Sequence, residues 1–404
     1  MTQADAARWA PDDRFIAAVR ARFPVEPEMD RVLTAKLRDR ASGAHRPVGL
    51  DELVDSTRTL IEREIGPDFQ ISRARWLGGG ASKLQMAFDL HWRGLECGEP
   101  RVTPMVVRMQ PAASIVETSR RREFEMLQAM RGVVPVPECY WIDELGEIMP
   151  HPAIIYALAQ GVAKPRARPS VQVTGIGTNF GPELRPVLAQ QFVEHLARVH
   201  TAPAATLAGL TAFEPAAVGS NAGIVRQVMW WRRVWEEDRP EAMPLVELAA
   251  QWLVANAPVL DHASAVHGDF RAGNFLFDED SRQITAWLDW ELAVIGDRHQ
   301  DLSWLSGHHF GHFAEDGRTF LACGLLPRDE LFERYEKASG LTVDPARLKY
   351  FRVYNDFASC VHMLATACRV AMHGKSHQDV LVAWLASIGH VISGALRDTL
   401  EEVL

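Results

Sequence analysis

This chain of 404 residues is notable first for what it lacks. Its five cysteines (Cys97, Cys139, Cys323, Cys360 and Cys368) form no C-x-x-C pair and are odd in number, which fits neither a disulfide framework nor a zinc ribbon. Reduced thiols in a cytoplasmic protein are the simple reading. No uninterrupted apolar run approaches the ~20 residues that span a bilayer. The start, Met1-Thr2-Gln3-Ala4-Asp5, has neither the basic nor the apolar region of a signal peptide. No membrane partner is expected. A basic excess is also missing: 43 Lys and Arg stand against 52 Asp and Glu, a formal net charge of -9. Nucleic-acid binding normally needs a basic stripe that displaces counterions, so no nucleic-acid partner is expected. Internal repeats and low-complexity tracts are absent as well.

What is present is ordinary globular material, 47% hydrophobic and 24% charged, on a chain long enough for two lobes. Residues 1–68 show helical spacing: Phe15, Ile16, Val19 and Phe23 in one segment, then Leu50, Leu53, Val54, Leu60, Ile61 and Ile65 up to a Gly66-Pro67 stop. We expect a helical N-terminal extension there. From 69 to 158 the period changes to two. Leu84, Met86, Phe88 and Leu90 alternate with Gln85, Ala87 and Asp89; 105–109 and 153–158 read as further strands, 94–104 as a hairpin connection, and 119–130 as a helix. A small lobe with an antiparallel sheet and one main helix is implied. Residues 159–404 are mostly helical, with segments at 186–200, 224–237, 244–257, 345–372 and 378–403. Short apolar stretches at 265–266 and 284–288 interrupt them, each ending on polar residues. The fold class expected is α+β and bilobal.

One constellation carries chemistry. His267-Gly268-Asp269-Phe270-Arg271-Ala272-Gly273-Asn274 has the H-x-D-x-x-x-x-N spacing of a kinase catalytic loop, and Leu288-Asp289-Trp290 follows. In such a loop the Asp orients an attacking hydroxyl and accepts its proton, while Asn274 and Asp289 are hard oxygen ligands suited to Mg²⁺. His267 braces the loop by hydrogen bonding, and Arg271 is counted with it and Asp269 as a catalytic-loop residue. Upstream, Leu77-Gly78-Gly79-Gly80-Ala81-Ser82 lies between two strand signals. It reads either as a plain hairpin turn or as a loop whose amides approach phosphate oxygens. Arg108 sits amid apolar strand residues, either facing water on an edge strand or facing a nucleotide phosphate with Glu123 as its partner.

In these motifs, extended by Ile284-Thr-Ala-Trp-Leu-Asp289-Trp-Glu291 and Gly296-Asp297-Arg-His-Gln-Asp301-Leu302, the chain resembles the aminoglycoside phosphotransferase, choline-kinase-like family. The Leu-Asp-Trp-Glu wording is most similar to the kinase-like domains associated with acyl-CoA dehydrogenases. The resemblance spans about 71–390, with its strongest motifs between 265 and 305. It implies a bilobal protein-kinase-like fold with ATP and Mg²⁺ as cofactors. The implied roles are Asp269 as base, Asn274 and Asp289 on the metal, and Gly79, Gly80 and Ser82 over the nucleotide. It further implies an interlobe hinge at 155–159 with backbone groups of Ala157 and Ala159 toward adenine, and Asp301 as the acid holding the catalytic loop. Many members carry Lys where this chain has Arg108, which keeps the charge but widens the donor fork.

Trp-Glu after Asp289, in place of Phe-Gly, and the lack of a later Ala-Pro-Glu disfavour a peptide acceptor. The expected acceptor is a small-molecule hydroxyl, and the resemblance to the acyl-CoA-dehydrogenase-associated domains implies a hydroxylated acyl or carboxylic metabolite. An aminoglycoside or macrolide acceptor and a non-catalytic kinase-like binding module are the alternatives. An aminoglycoside would need carboxylates, for which Glu236, Glu237 and Asp238 are the candidates unless they form a solvated helix end. Trp230, Trp231 and Trp235 read as a core stripe or an acceptor wall. His308, His309 and His312 read as a cleft loop more simply than as a metal site.

Overall fold

The computed structural model describes residues 7–40, 47–78, 83–94, 98–166, 177–373 and 379–404. Three helices come first: α1 (Asp13–Arg22), α2 (Pro27–Arg40) and α3 (Leu50–Ile65). α3 stops where Gly66 takes a φ of 80° and returns its N–H to Glu62 O, a conformation that suits glycine at a helix end. An antiparallel sheet of order β1-β2-β3-β5-β4 follows, built from β1 (Gln70–Trp76), β2 (Leu84–Trp92), β3 (Arg101–Met109), β4 (Cys139–Asp143) and β5 (Ala153–Ala157). Helix α4 (Arg120–Met130) joins β3 to β4.

The period-two pattern decides what each face of this sheet meets. Met86, Phe88 and Leu90 of β2 and Met105, Val107 and Met109 of β3 pack on Leu53, Leu60 and Ile61 of α3. The alternate residues Val106, Ile154 and Tyr156 pack on Met126, Leu127 and Met130 of α4. Arg108 shares the Val106 side of its strand, so it points toward α4 and Glu123. The third helix of the N-terminal segment therefore supplies one cover of the sheet, while α1 and α2 lie on the larger lobe. Strand β3 also starts at Arg101, inside the stretch 94–104 expected to be a connection. Its pairing with β2 runs out to Trp92↔Arg101, where the Arg101 guanidinium lies 4.8 Å over the Trp92 ring.

The larger lobe contains α5 (Gly181–His200), α6 (Ala204–Ala208), α7 (Ala222–Asp238), α8 (Pro244–Ala255), α9 (His299–Leu305), α10 (Arg328–Ser339), α11 (Pro345–Val361), α12 (Cys368–His373) and α13 (Asp379–Glu401). The single helix expected over 345–372 is interrupted by a π-helical turn at His362–Ala367. Two short antiparallel pairs matter most: β6 (Ser264–Val266) with β9 (Val294–Gly296), and β7 (Phe275–Asp278) with β8 (Gln283–Trp287). The pairs Val266↔Val294 and Phe275↔Trp287 clamp both ends of loops 267–274 and 288–293. A three-stranded sheet, β10 (His312–Phe313), β11 (Phe320–Ala322) and β12 (Leu326–Pro327), stands where only a loop was expected. Its strands are two or three residues long, too short to show a period.

Of two side-chain readings left open by the sequence, the core stripe of tryptophans is the observed one and the solvated helix end is not. Trp230, Trp231 and Trp235 are buried in the core with α8 and α11, the first two rings stacked 5.3 Å apart. Glu237 and Asp238 are not a solvated helix end. Both are buried, Glu237 against Lys36 at 2.5 Å and Arg233 at 2.8 Å, and Asp238 against Arg40 and Arg369. Glu236 pairs with Arg8 at 2.5 Å. Buried carboxylates need such counter-ions, and several of these lie about two hundred positions away in sequence.

Candidate active site

The catalytic loop is held from its backbone outward. Asp301, on α9, accepts the N–H groups of His267 at 2.8 Å and Gly268 at 2.9 Å. Gly268 has a φ of 81°, and a Cβ there would lie 2.5 Å from Leu292 O, so only glycine lets the loop pass the 288–293 segment. His267 accepts the Asp269 N–H on Nδ1 at 3.2 Å, which leaves Nε2–H to donate to Leu288 O at 3.0 Å. This assigns the neutral tautomer, in line with burial pushing its pKa down. His267 thus ties the Asp269 loop to the residue preceding Asp289.

The Asp269 carboxylate accepts Arg271 Nε at 2.8 Å and Trp304 Nε1 at 2.6 Å on Oδ1, and Asn274 Nδ2 at 2.6 Å on Oδ2. Asn274 Nδ2 also reaches Asp269 O at 2.8 Å. Its own Oδ1 has no donor among the described residues. That oxygen and the Asp289 carboxylate are the kind of hard donors Mg²⁺ takes, so the residues present fit such an ion. Asp289 sits in the left-handed region at φ 65° and ψ 48°, a conformation that costs a non-glycine residue free energy and clusters at functional sites.

Arg108 is nearly inaccessible. Its Nε lies 3.0 Å from Glu123, and Nη2 contacts Asp289 directly and approaches Glu291 at 3.4 Å. Of the two readings of Arg108, the buried one paired with Glu123 is observed, with two more acids than anticipated. Glu291 is the hub: Lys83 Nζ at 2.7 Å, Arg120 at 3.1 Å and the Thr118 hydroxyl at 2.8 Å all meet it, and Arg120 also pairs with Glu123. Burial alone would raise the Glu291 carboxyl; Lys83, Arg108 and Arg120 overturn that and hold it well below the usual range. Asp289 goes the other way. Burial, opposed by Arg108 and reinforced by Glu291 and Glu123, lifts it to about 6.

Asp269, Asn274, Asp289, Arg108, Glu123, His267 and Arg271 are thus linked into one connected site by the contacts above. At the hinge, Ala157 N–H is spent on Glu138 O at 2.8 Å and is no donor to a base; Ala159 N–H has no such partner among the described residues. Gly161, at φ 127°, lies where a Cβ would sit 2.9 Å from Phe277 O, and Val162 pairs with Phe277, which anchors the hinge end on the β7–β8 hairpin. Gly79, Gly80 and Ser82 lie outside the described residues. The His308 ring lies 4.8 Å from that of Phe320, tilted by 56°, and His312 opens β10. Sequence reasoning gave no role to Lys83, Arg120, Glu291 or Trp304. For Glu291 a signal existed in the Leu-Asp-Trp-Glu wording, and for Lys83 in its place next to the glycine loop.

An antiparallel five-stranded sheet over a helical lobe, with a loop of this spacing between them, defines a kinase-type phosphotransferase fold. The profile of the APH phosphotransferase enzyme family matches residues 94–351, and the chain belongs to that family. Among curated relatives it is 28% identical over 290 residues to acyl-CoA dehydrogenase family member 11 of Rattus norvegicus, covering 68% of this chain and 35% of that one. It is 25% identical over 268 residues to the probable acyl-CoA dehydrogenase IBR3 of Arabidopsis thaliana, covering 62% and 31%. The chain thus spans about a third of the length of these relatives. Among solved structures, a Ralstonia eutropha protein assigned as an aminoglycoside phosphotransferase superposes with a TM-score of 0.59 at 18% identity, covering 86% of this chain and 98% of its own. A type I macrolide 2′-phosphotransferase superposes with a TM-score of 0.52 at 16% identity, covering 84% and 99%. At such identities these likenesses speak for the fold. No described helix is long and apolar enough to cross a membrane.

Proposed function

We propose that the protein transfers the γ-phosphoryl group of ATP to a hydroxyl of a small molecule. The convergence of Asp269, Asn274 and Asp289 on a loop pair clamped by β6–β9 and β7–β8 carries this reading. Asp269 orients the acceptor hydroxyl and takes its proton late. Arg108, fixed by Glu123, faces the phosphates, with the glycine loop above them and Ala159 N–H toward adenine. Asn274 and Asp289 would hold Mg²⁺, which when bound would neutralise negative charge on the nucleotide phosphates. Before it binds, Arg108 serves as the counter-ion of Asp289.

The acceptor we favour is a hydroxylated acyl or carboxylic metabolite. Support comes from similarity to acyl-CoA dehydrogenase family proteins and from the internal pairing of Glu236, Glu237 and Asp238, which removes the acids that would attract a polycationic aminoglycoside. The test is ATP consumption with panels of hydroxyacyl-CoAs, hydroxy acids and aminoglycosides. Stimulation by a hydroxyacyl compound, abolished about 10³-fold or more by Asp269→Ala, is the expected result. Unchanged turnover in Asp269→Ala refutes the mechanism, and nucleotide binding without turnover of any hydroxyl compound favours a binding module instead.

A further inference from the structure

The two oxygens of Asp269 are held unequally. Oδ1 accepts both Arg271 Nε and Trp304 Nε1, while Oδ2 accepts only Asn274 Nδ2. A carboxylate oxygen offers about two acceptor positions, so Oδ1 is filled and Oδ2 keeps one. We propose that Trp304 is a positioning residue for phosphoryl transfer: with Arg271 it occupies Oδ1, so the acceptor hydroxyl docks on Asp269 Oδ2. This rests on the reading of Asp269 as the base.

Three observations single out Trp304. It stands three residues after Asp301 on α9, hence on the same helical face; one short helix thereby holds the loop backbone through Asp301 and the base side chain through Trp304. Its ring is braced by Phe310, 4.8 Å away, and the same Phe310 ring lies 5.2 Å from the Arg271 guanidinium. One aromatic residue therefore sets both donors to Oδ1. Finally, the indole N–H is a neutral donor that cannot exchange roles with an acceptor. It fixes the carboxylate's rotation without adding a second positive charge that would weaken it as a base.

The test uses the full-length chain with MgATP and water as the acceptor, so that no unidentified substrate is needed. Trp304→Phe keeps the packing on Phe310 and removes the donor. We expect kcat for ATP hydrolysis to fall about tenfold or more while KM for ATP stays within about twofold, a split that a general loss of structure does not produce. A kcat equal to the wild type overturns the proposal. In parallel, the Trp304 indole N–H resonance, identified among the twelve tryptophans by its absence in Trp304→Phe, should shift upfield in Asp269→Asn. A resonance indifferent to Asp269→Asn overturns the proposed contact. Should the wild-type chain hydrolyse no ATP with water alone, the phosphotransferase reading is decided by the acceptor panel above, and the indole shift by itself decides whether Trp304 holds Asp269.

Discussion

Three cations converge on Glu291: Lys83 at 2.7 Å, Arg120 at 3.1 Å and Arg108 at 3.4 Å. Removing one member of a buried ionic cluster leaves its partners uncompensated, which costs about 3–5 kcal/mol where the charges are fully desolvated. Glu291→Gln should therefore lower the urea unfolding free energy by that order and raise KM for ATP severalfold, because Arg108 loses one of the acids that aim it. Equilibrium unfolding and nucleotide titration check the two parts separately. At this scale the sequence was legible where a residue type is rare in its setting. Arg108 in an apolar strand faced either water or a partner, and Glu123, the first acid on the following helix, was the partner named for the second case. Trp304 carried no such signal: a tryptophan in a helix is common, and its partner Asp269 lies 35 positions away.

Helix α2 joins parts that the motif region alone leaves independent. Glu28 meets the hydroxyl of Ser119, the N-cap of α4, and Glu26, just before α2, pairs with Arg122 at 2.8 Å. On its other side Asp30 and Thr34 receive Arg233 of α7, at 2.5 and 3.0 Å. The element that carries Glu123 is thus tied to the large lobe through a helix outside residues 94–351. The double variant Glu26→Gln/Glu28→Gln should raise KM for ATP about three- to tenfold, as α4 loosens, and speed hydrogen exchange across 120–130. Unchanged exchange there would mean that α4 is fixed by its packing on the sheet alone. The existence of α1 and α3 could be read from helical spacing, whereas α2 had no segment of its own in that reading. Their division between the two lobes could not, because an amphipathic stripe states that a face is buried but not against what.

At the scale of the whole molecule, four buried histidines from distant parts of the chain sit where burial disfavours their charged form. Burial lowers His195 and His362 to about 4, and lowers His200 and His267 as well. The unfolded chain binds protons at these positions from near pH 6.5 downward, whereas the folded chain resists until lower pH. Their contribution to stability is therefore full above about pH 6.5 and falls as pH drops toward 4, by up to about 1.4 kcal/mol per pH unit for each such group, opposed in part by the raised carboxyls of Asp289 and Asp356. Urea midpoints at pH 7.5 and pH 5 should show this loss, and His195→Gln, whose amide oxygen can still accept Trp287 Nε1, should reduce the slope.

By itself the sequence determined the family and the bilobal fold class, because the residue types of the His267–Asn274 and Leu288–Asp289 motifs stand at short spacings that survive in one dimension. Only the tertiary structure decided which charges neutralise one another. It directed Glu237 and Asp238 inward, set Lys83 and Arg120 on Glu291, and brought Trp304 to Asp269. Those pairings join residues tens to hundreds of positions apart, and the desolvation that makes them necessary arises only when the chain is packed.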